Sequence, residues 1–232
     1  MEGLSLKPQL LNLHDQQALV AALRTLLIEA PLFRPEMPGT GKPFSVRMSN
    51  CGTLGWVSDR AGGYRYQPTH PVTGRPWPAI PDSVLQIWRA YSGYPADPEA
   101  CLINWYEPGA RMGLHRDADE AAKDAPVVSI SLGDAALFRL GGPKRSDPTS
   151  SFPLSSGDVL VLGGEARHCF HGVDRLIPGS GGPLGRPGRI NLTLRRVTLA
   201  TGYQYSPTTP KTAPNTPKRV PTTPTANPIT AI

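Results

Sequence analysis

Cysteine is scarce in this chain: Cys51, Cys101 and Cys169 are the only three, far apart and with no C-x-x-C pair. That excludes a disulfide framework and leaves no thiol pattern for a zinc site or a redox dithiol. A reduced, cytoplasmic setting is the expectation. Charged residues make up only 18%, but hydrophobic residues reach 39%, enough to form a core over most of the length. No apolar run approaches the ~18 residues that a membrane-spanning helix needs. The first thirty residues carry Glu2, Lys7, Asp15 and Arg24 and show no signal-peptide pattern, so no membrane partner is expected.

Glycine and proline are plentiful, at 24 and 27 of 232 residues, which argues for strands and loops and against a helical bundle. The length suits one domain. The formal charge is +6, from 24 basic against 18 acidic residues, a weak preference for anionic partners. From Thr201 onward, seven prolines and nine threonines fill half of 32 positions, and Lys211, Lys218 and Arg219 face no acid. Such composition offers little apolar surface against the entropy of ordering. The expected division is therefore a domain over 1–200 and a disordered Pro/Thr-rich tail over 201–232.

Within the domain, Asp15 precedes an apolar stripe at Leu19, Val20, Leu23, Leu26 and Leu27 that ends before Pro31, predicting an amphipathic helix capped by Asp15. A second helix is predicted from Asp82 or Ser83 through Val84, Leu85, Ile87, Trp88 and Tyr91, before Gly93 and Pro95. After Glu99 come short β-type runs at 101–106, 127–132, 137–140, 159–162 and 190–197. Strands at this spacing without helices between them suggest an antiparallel sandwich or barrel. The expected class is α+β, mainly β, with two N-terminal helices packed on the sheets.

Three segments carry chemistry. In NWYEPGARMGLHRDADE, His115 and Asp117 share a face if the segment is extended and could share a metal, although His-x-Asp alone is a common accident of a solvated turn. In GDVLVLGGEARHCFHGV, either His168 or His171 could add the third ligand of a two-histidine, one-carboxylate face, the arrangement that leaves positions open on Fe(II). In GRINLTLRRV, Arg189, Asn191 and Arg195 lie at even offsets. Two guanidiniums beside a metal suit a small dicarboxylate, though six residues of strand span ~20 Å and the side chains would have to converge. Between Thr40 and Ile80, Lys42, Arg47, Arg60, Arg65 and Arg75 outnumber the single acid Asp59 and interleave with Trp56, Tyr64, Tyr66 and Trp77. Cations for phosphates and aromatic faces for an unstacked base fit nucleic acid; Trp77, between two prolines, reads better as a core anchor.

In this order, H-x-D, H-G and R-x-N-x-x-x-R, the motifs resemble the AlkB family of iron and 2-oxoglutarate dependent dioxygenases, and its bacterial DNA-repair members in particular. The resemblance is close over roughly 104–196 and looser back to NCGTLGW and GRPWPAIPDS. It implies a double-stranded β-helix (jelly-roll) core over about 101–197 and a nucleotide-recognition region over about 40–80. It implies Fe(II) on His115, Asp117 and His171, the last chosen over His168 because it precedes glycine. It places 2-oxoglutarate on Arg189 and Arg195 with Asn104, Tyr106 and Asn191. For substrate it implies Trp56 stacked on a flipped base, Tyr64 and Tyr66 near the nucleic-acid backbone, Asp119 near the exocyclic amine and Arg145 at the rim. The implied reaction is oxidative demethylation of 1-methyladenine or 3-methylcytosine in alkylated, preferably single-stranded DNA by a monomer, with O2 consumed and succinate and formaldehyde released. The same chemistry on RNA, tRNA or protein, and a non-catalytic nucleic-acid binder, are the alternative readings.

Overall fold

A computed structural model describes residues 1–200; the tail expectation for 201–232 lies outside the described residues. In chain order the elements are β1 (Leu4–Lys7), α1 (Leu13–Glu29), β2 (Arg47–Gly52), β3 (Gly55–Asp59), β4 (Gly63–Gln67), α2 (Asp82–Tyr91), β5 (Ala100–Tyr106), β6 (Met112–His115), β7 (Val127–Gly133), β8 (Ala135–Leu140), β9 (Ser150–Leu154), β10 (Val159–Leu162), a 3₁₀ turn (Gly164–His168), β11 (His171–Ile177) and β12 (Arg189–Arg195).

Both predicted helices are present. The cap of α1 is a correction: Asn12, not Asp15, accepts from the backbone, its side-chain oxygen taking the Asp15 N–H at 3.0 Å, and Asp15 falls in the first turn. There the Asp15 carboxylate favours the positive end of the helix dipole. The helix stops at Ala30, ahead of Pro31, whose ring disfavours a helical residue before it. Its buried stripe is Leu19, Val20, Leu23 and Leu26, and α2 buries Val84 and Trp88.

The strands form a six-stranded sheet, β1-β10-β7-β12-β5-β2, a four-stranded sheet, β6-β11-β8-β9, and a separate hairpin, β3-β4. Every pairing between them is antiparallel. This is the jelly-roll arrangement that the resemblance implied. The period of two along each strand divides the molecule into layers. On one face of the large sheet, Cys101, Ile103 and Trp105 of β5, Val128, Ile130 and Leu132 of β7, and Ile190, Leu192 and Leu194 of β12 pack with the two helices. On the other face Leu102, Tyr106, Val127, Leu160 and Leu162 meet Phe138, Leu140, Val173 and Leu176 of the small sheet. The central strands β5 and β7 are therefore buried on both faces.

Trp77 is buried, 6% exposed, and donates its indole N–H to the Gln67 carbonyl at 2.9 Å. It anchors the base of the hairpin. The region between the helices, which sequence alone left as Gly/Pro/aromatic connection, holds β2, β3 and β4.

Candidate active site

Alternation on β12 brings Arg189, Asn191, Thr193 and Arg195 to the face opposite the helices, where they line a cavity of about 600 Å³ between the two sheets. Asn104 and Tyr106 of β5 line it from the neighbouring strand, and His115, Asp117 and His171 from the small sheet and the loop after β6. Trp56, Tyr64, Asp119 and Arg145 stand on the same cavity. Among the residues that the resemblance assigns to iron, cosubstrate or substrate, Tyr66 is the one that does not line it.

His115 and His171 lie directly opposite each other in the β6–β11 pairing, with ring centroids 4.5 Å apart. With Asp117 they offer three ligand atoms within 4.8 Å of one another. The Asp117 oxygens are 3.8 Å from His115 Nε2 and 4.0 Å from His171 Nε2. His115 Nδ1 is 3.0 Å from the Gly113 carbonyl and His171 Nδ1 is 3.1 Å from that of Cys169. A carbonyl only accepts, so each Nδ1 carries the proton and each Nε2 turns its lone pair toward Asp117. Burial, helped by His115, depresses the His171 pKa to about 4, which keeps the ring neutral. Burial would raise the Asp117 carboxyl, but Arg195, His171 and His115 outweigh it and hold the group well below the usual carboxylate range. One carboxylate and two imidazole Nε2 atoms are thus gathered for a divalent cation with open positions. His168 is exposed on the 3₁₀ turn and lies outside this cluster.

The close approach of β6 and β11 depends on Gly172. A Cβ there would lie 2.6 Å from the Met112 carbonyl oxygen and 3.0 Å from that of Gly113. The glycine of the H-G motif is what lets the two imidazoles face each other.

Arg189 is 1% exposed and no carboxylate lies within 4 Å of it among the described residues. It donates to the carbonyls of Asp134 and Leu154 and to Ser131 Oγ, but its Nε–H has no partner. Burial depresses its pKa to about 10. The Asn104 Oδ1 is likewise buried and unpartnered. A buried cation with no carboxylate paired to it is costly, and its idle Nε–H would be satisfied by an anionic, oxygen-rich ligand, to which the Asn104 amide can donate only through Nδ2. Tyr106 is pushed up to about 12 by burial, against Arg189 and Arg195, so its phenol is a neutral donor.

Arg195 does not converge on Arg189. Its Nε and Nη2 donate to Asp117 Oδ2 at 3.1 and 2.9 Å, and burial, which works against its charge, is outweighed by Asp117, Tyr66 and Glu120. The cavity runs along β12 and so accommodates the length of the strand, with Arg189 at one end and Arg195 beside the metal ligands. This arrangement fits a cation chelated at one end of a short dicarboxylate whose far end meets Arg189.

At the mouth, Trp56 stacks on Tyr64, centroids 5.5 Å apart and planes 25° apart, with Phe44 edge-on at 6.2 Å. Trp56 Nε1 donates to Asp119 Oδ2 at 2.9 Å. Arg145 donates to the Leu114 carbonyl at 2.7 Å and, with Arg116, lies over the Phe170 ring. The Tyr66 hydroxyl turns inward and donates to Glu120 Oε1 at 2.5 Å; burial first, then Glu120, raises its pKa well above normal and keeps that proton in place.

Sequence reasoning missed three supporting residues. Asn50 holds Trp56 at both backbone groups, Oδ1 accepting from its N–H and Nδ2 donating to its carbonyl, each at 3.0 Å. Glu120 is buried against Arg167, whose Nη1 also donates to the Asp117 carbonyl at 2.7 Å. The only signal was an acid and an arginine inside the DADE and GEARH segments, and nothing local says that they meet.

A family model described as the 2OG-Fe(II) oxygenase superfamily matches residues 3–195. The chain is 52% identical over 198 residues, 85% of its length and 89% of the relative's, to an alpha-ketoglutarate-dependent dioxygenase AlkB homolog of Caulobacter vibrioides. It is 44% identical over 184 residues, 78% of its length and 84% of the relative's, to the alpha-ketoglutarate-dependent dioxygenase AlkB of Escherichia coli. The solved structure of OsALKBH1 superposes with a TM-score of 0.70 at 31% identity, covering 84% of this chain and 99% of that one.

Proposed function

We infer the reaction from membership: the chain belongs to the 2OG-Fe(II) oxygenase superfamily and, within it, to the AlkB family. It is an Fe(II)- and 2-oxoglutarate-dependent dioxygenase that demethylates N-alkylated nucleic-acid bases and so reverses alkylation damage directly. When bound, the iron and the cosubstrate supply the oxidation: O2 is consumed, 2-oxoglutarate leaves as succinate and CO2, and the N-methyl group becomes a hydroxymethyl that departs as formaldehyde.

The residues of this chain do the rest. His115, Asp117 and His171 would hold the metal, two of them with ring protons already committed to backbone carbonyls. Arg189 would pair with the distal carboxylate, and the Asn104 Nδ2 and Tyr106 hydroxyl would donate to it in a cavity also lined by Leu154 and Leu160. Arg195 orients Asp117 and, lining the same cavity beside the metal ligands, would meet the near carboxylate of the cosubstrate. The single observation that carries the reading is the pairing of a His-Asp-His cluster with a buried arginine that has no ion-pair partner, in one cavity.

For the substrate, Trp56 offers an aromatic face at the mouth and Asp119 an exposed carboxylate beside it. A cationic base such as 1-methyladenine pairs poorly, which lowers the cost of extruding it, and Asp119 favours its charge. Single-stranded DNA is the preferred form on this reading, acted on by a monomer whose catalytic core spans about 101–197, with nucleotide recognition over about 40–80.

The test is mass spectrometry of an oligonucleotide carrying one 1-methyladenine, incubated with the protein, Fe(II), 2-oxoglutarate and air. Loss of one methyl mass, abolished in His115→Ala, is expected. An unchanged strand with succinate still formed would move the substrate elsewhere; neither product, with the metal verified as bound, would leave a binding protein.

A further inference from the structure

The β3–β4 hairpin stands apart from both large sheets, and a two-stranded ribbon has little stability of its own. Its two aromatic cross-strand partners, Trp56 and Tyr66, each reach the segment that follows Asp117. Trp56 bonds to Asp119, which is exposed and would turn to the base. Tyr66 bonds to Glu120, whose side chain is only 2% exposed. Once a substrate occupies Asp119, the Tyr66–Glu120 bond is the side-chain tie that remains between this segment and the hairpin.

Glu120 is also next to the cosubstrate end of the cavity. Its Oε2 accepts from Arg167 Nη2 at 2.9 Å, and its Oε1, besides taking the Tyr66 proton, lies 3.5 Å from Arg195 Nε. One carboxylate oxygen is therefore shared between the hairpin and the arginine beside the metal ligands. A guanidinium drawn toward a new carboxylate leaves more of Glu120 Oε1 to the phenol.

We propose that Glu120, oriented by Arg167, is a positioning residue that couples the cosubstrate site to the base platform through Tyr66, so that binding of 2-oxoglutarate stiffens the hairpin carrying Trp56. By linkage, a base held on the hairpin tightens the cosubstrate by the same factor. The inference rests on the reading of Arg195 as a cosubstrate arginine, and it needs neither a base nor turnover to be tested.

The experiment is amide hydrogen exchange on the full chain with Mn(II) in the metal site, with and without 2-oxoglutarate, in the wild type, Tyr66→Phe and Glu120→Gln. In the wild type, 2-oxoglutarate slows exchange over 55–67 by about fivefold, a coupling at the lower end of the usual range. In Tyr66→Phe, which loses only a hydroxyl, the slowing falls below about twofold while protection along 189–195 persists. Glu120→Gln shows the same loss; if that variant fails to fold because Arg167 is left unpaired, Tyr66→Phe still decides. An unresponsive wild-type hairpin, or equal slowing in Tyr66→Phe, overturns the coupling. Failure of the reading beneath it looks different: 189–195 would then gain no protection either.

Discussion

Arg189 shows how a single residue can disclose a ligand. A buried guanidinium with three hydrogen bonds, an Nε without a partner and no carboxylate within 4 Å among the described residues is a poor way to stabilise a fold. It is a good way to bind an anion. Arg189→Met should therefore leave the unfolding free energy of the ligand-free protein within about 1 kcal/mol of the wild type. It should raise the 2-oxoglutarate KM by roughly 30- to 150-fold, the value of a charge-assisted pair of about 2–3 kcal/mol. Thermal melts together with cosubstrate titrations check both halves, and a collapse of stability with an unchanged KM would make Arg189 a structural residue. The sequence made this arginine visible through its even offset from Asn191 and Arg195, but not its partners, because Ser131 and Leu154 come from other strands and Asp134 from the turn between β7 and β8.

At the scale of elements, the pairing of β6 with β11 creates the metal site. β6 is four residues long, interrupted by glycine, and half-exposed, so no periodicity announced it. β9, β11 and the hairpin strands were equally silent: Ser150–Leu154 reads as polar loop, and β11 breaks its alternation at a register shift after Val173. By contrast the runs that became β5, β7, β8, β10 and β12 were legible, since strands buried on both faces are continuous apolar stretches. Gly172→Ala tests the β6–β11 contact. The added methyl meets two backbone oxygens, which cannot rotate away, so β6 must retreat and carry His115 from His171. Metal affinity, measured by competition with a chelator, should fall at least about tenfold, with the far-ultraviolet circular dichroism preserved. Unchanged affinity would mean that the sheet absorbs the methyl elsewhere.

For the whole molecule, the metal ligands join the two sheets. His115 and His171 end strands of the small sheet, while Asp117 is held by Arg195 of the large one. An ion on these three groups binds the folded state alone and should resist global unfolding. At a hundred times its dissociation constant, Mn(II) should add about 2.7 kcal/mol and raise Tm by roughly 5–10 °C for a domain of this size. A chelator should reverse the shift, and His171→Ala should show none of it. A metal-independent Tm in the wild type would place the ion outside the cooperative fold.

Much of this protein followed from residue types and periods along the chain. The two helices, the apolar strands, the exclusion of disulfide and zinc chemistry, and the three motifs whose order pointed to a family needed only local spacing. The cap of α1 was already decided by the folded backbone, because Asn12 and Asp15 are equally good candidates by composition. What separates His171 from His168 physically, why Arg195 turns to Asp117 instead of Arg189, and how Glu120 comes to lie between Tyr66 and Arg167 depend on residues 47 to 78 positions apart in sequence. Contacts of that range leave no periodic trace. They exist only once antiparallel pairing has set β11 against β6 and closed one sheet over the other.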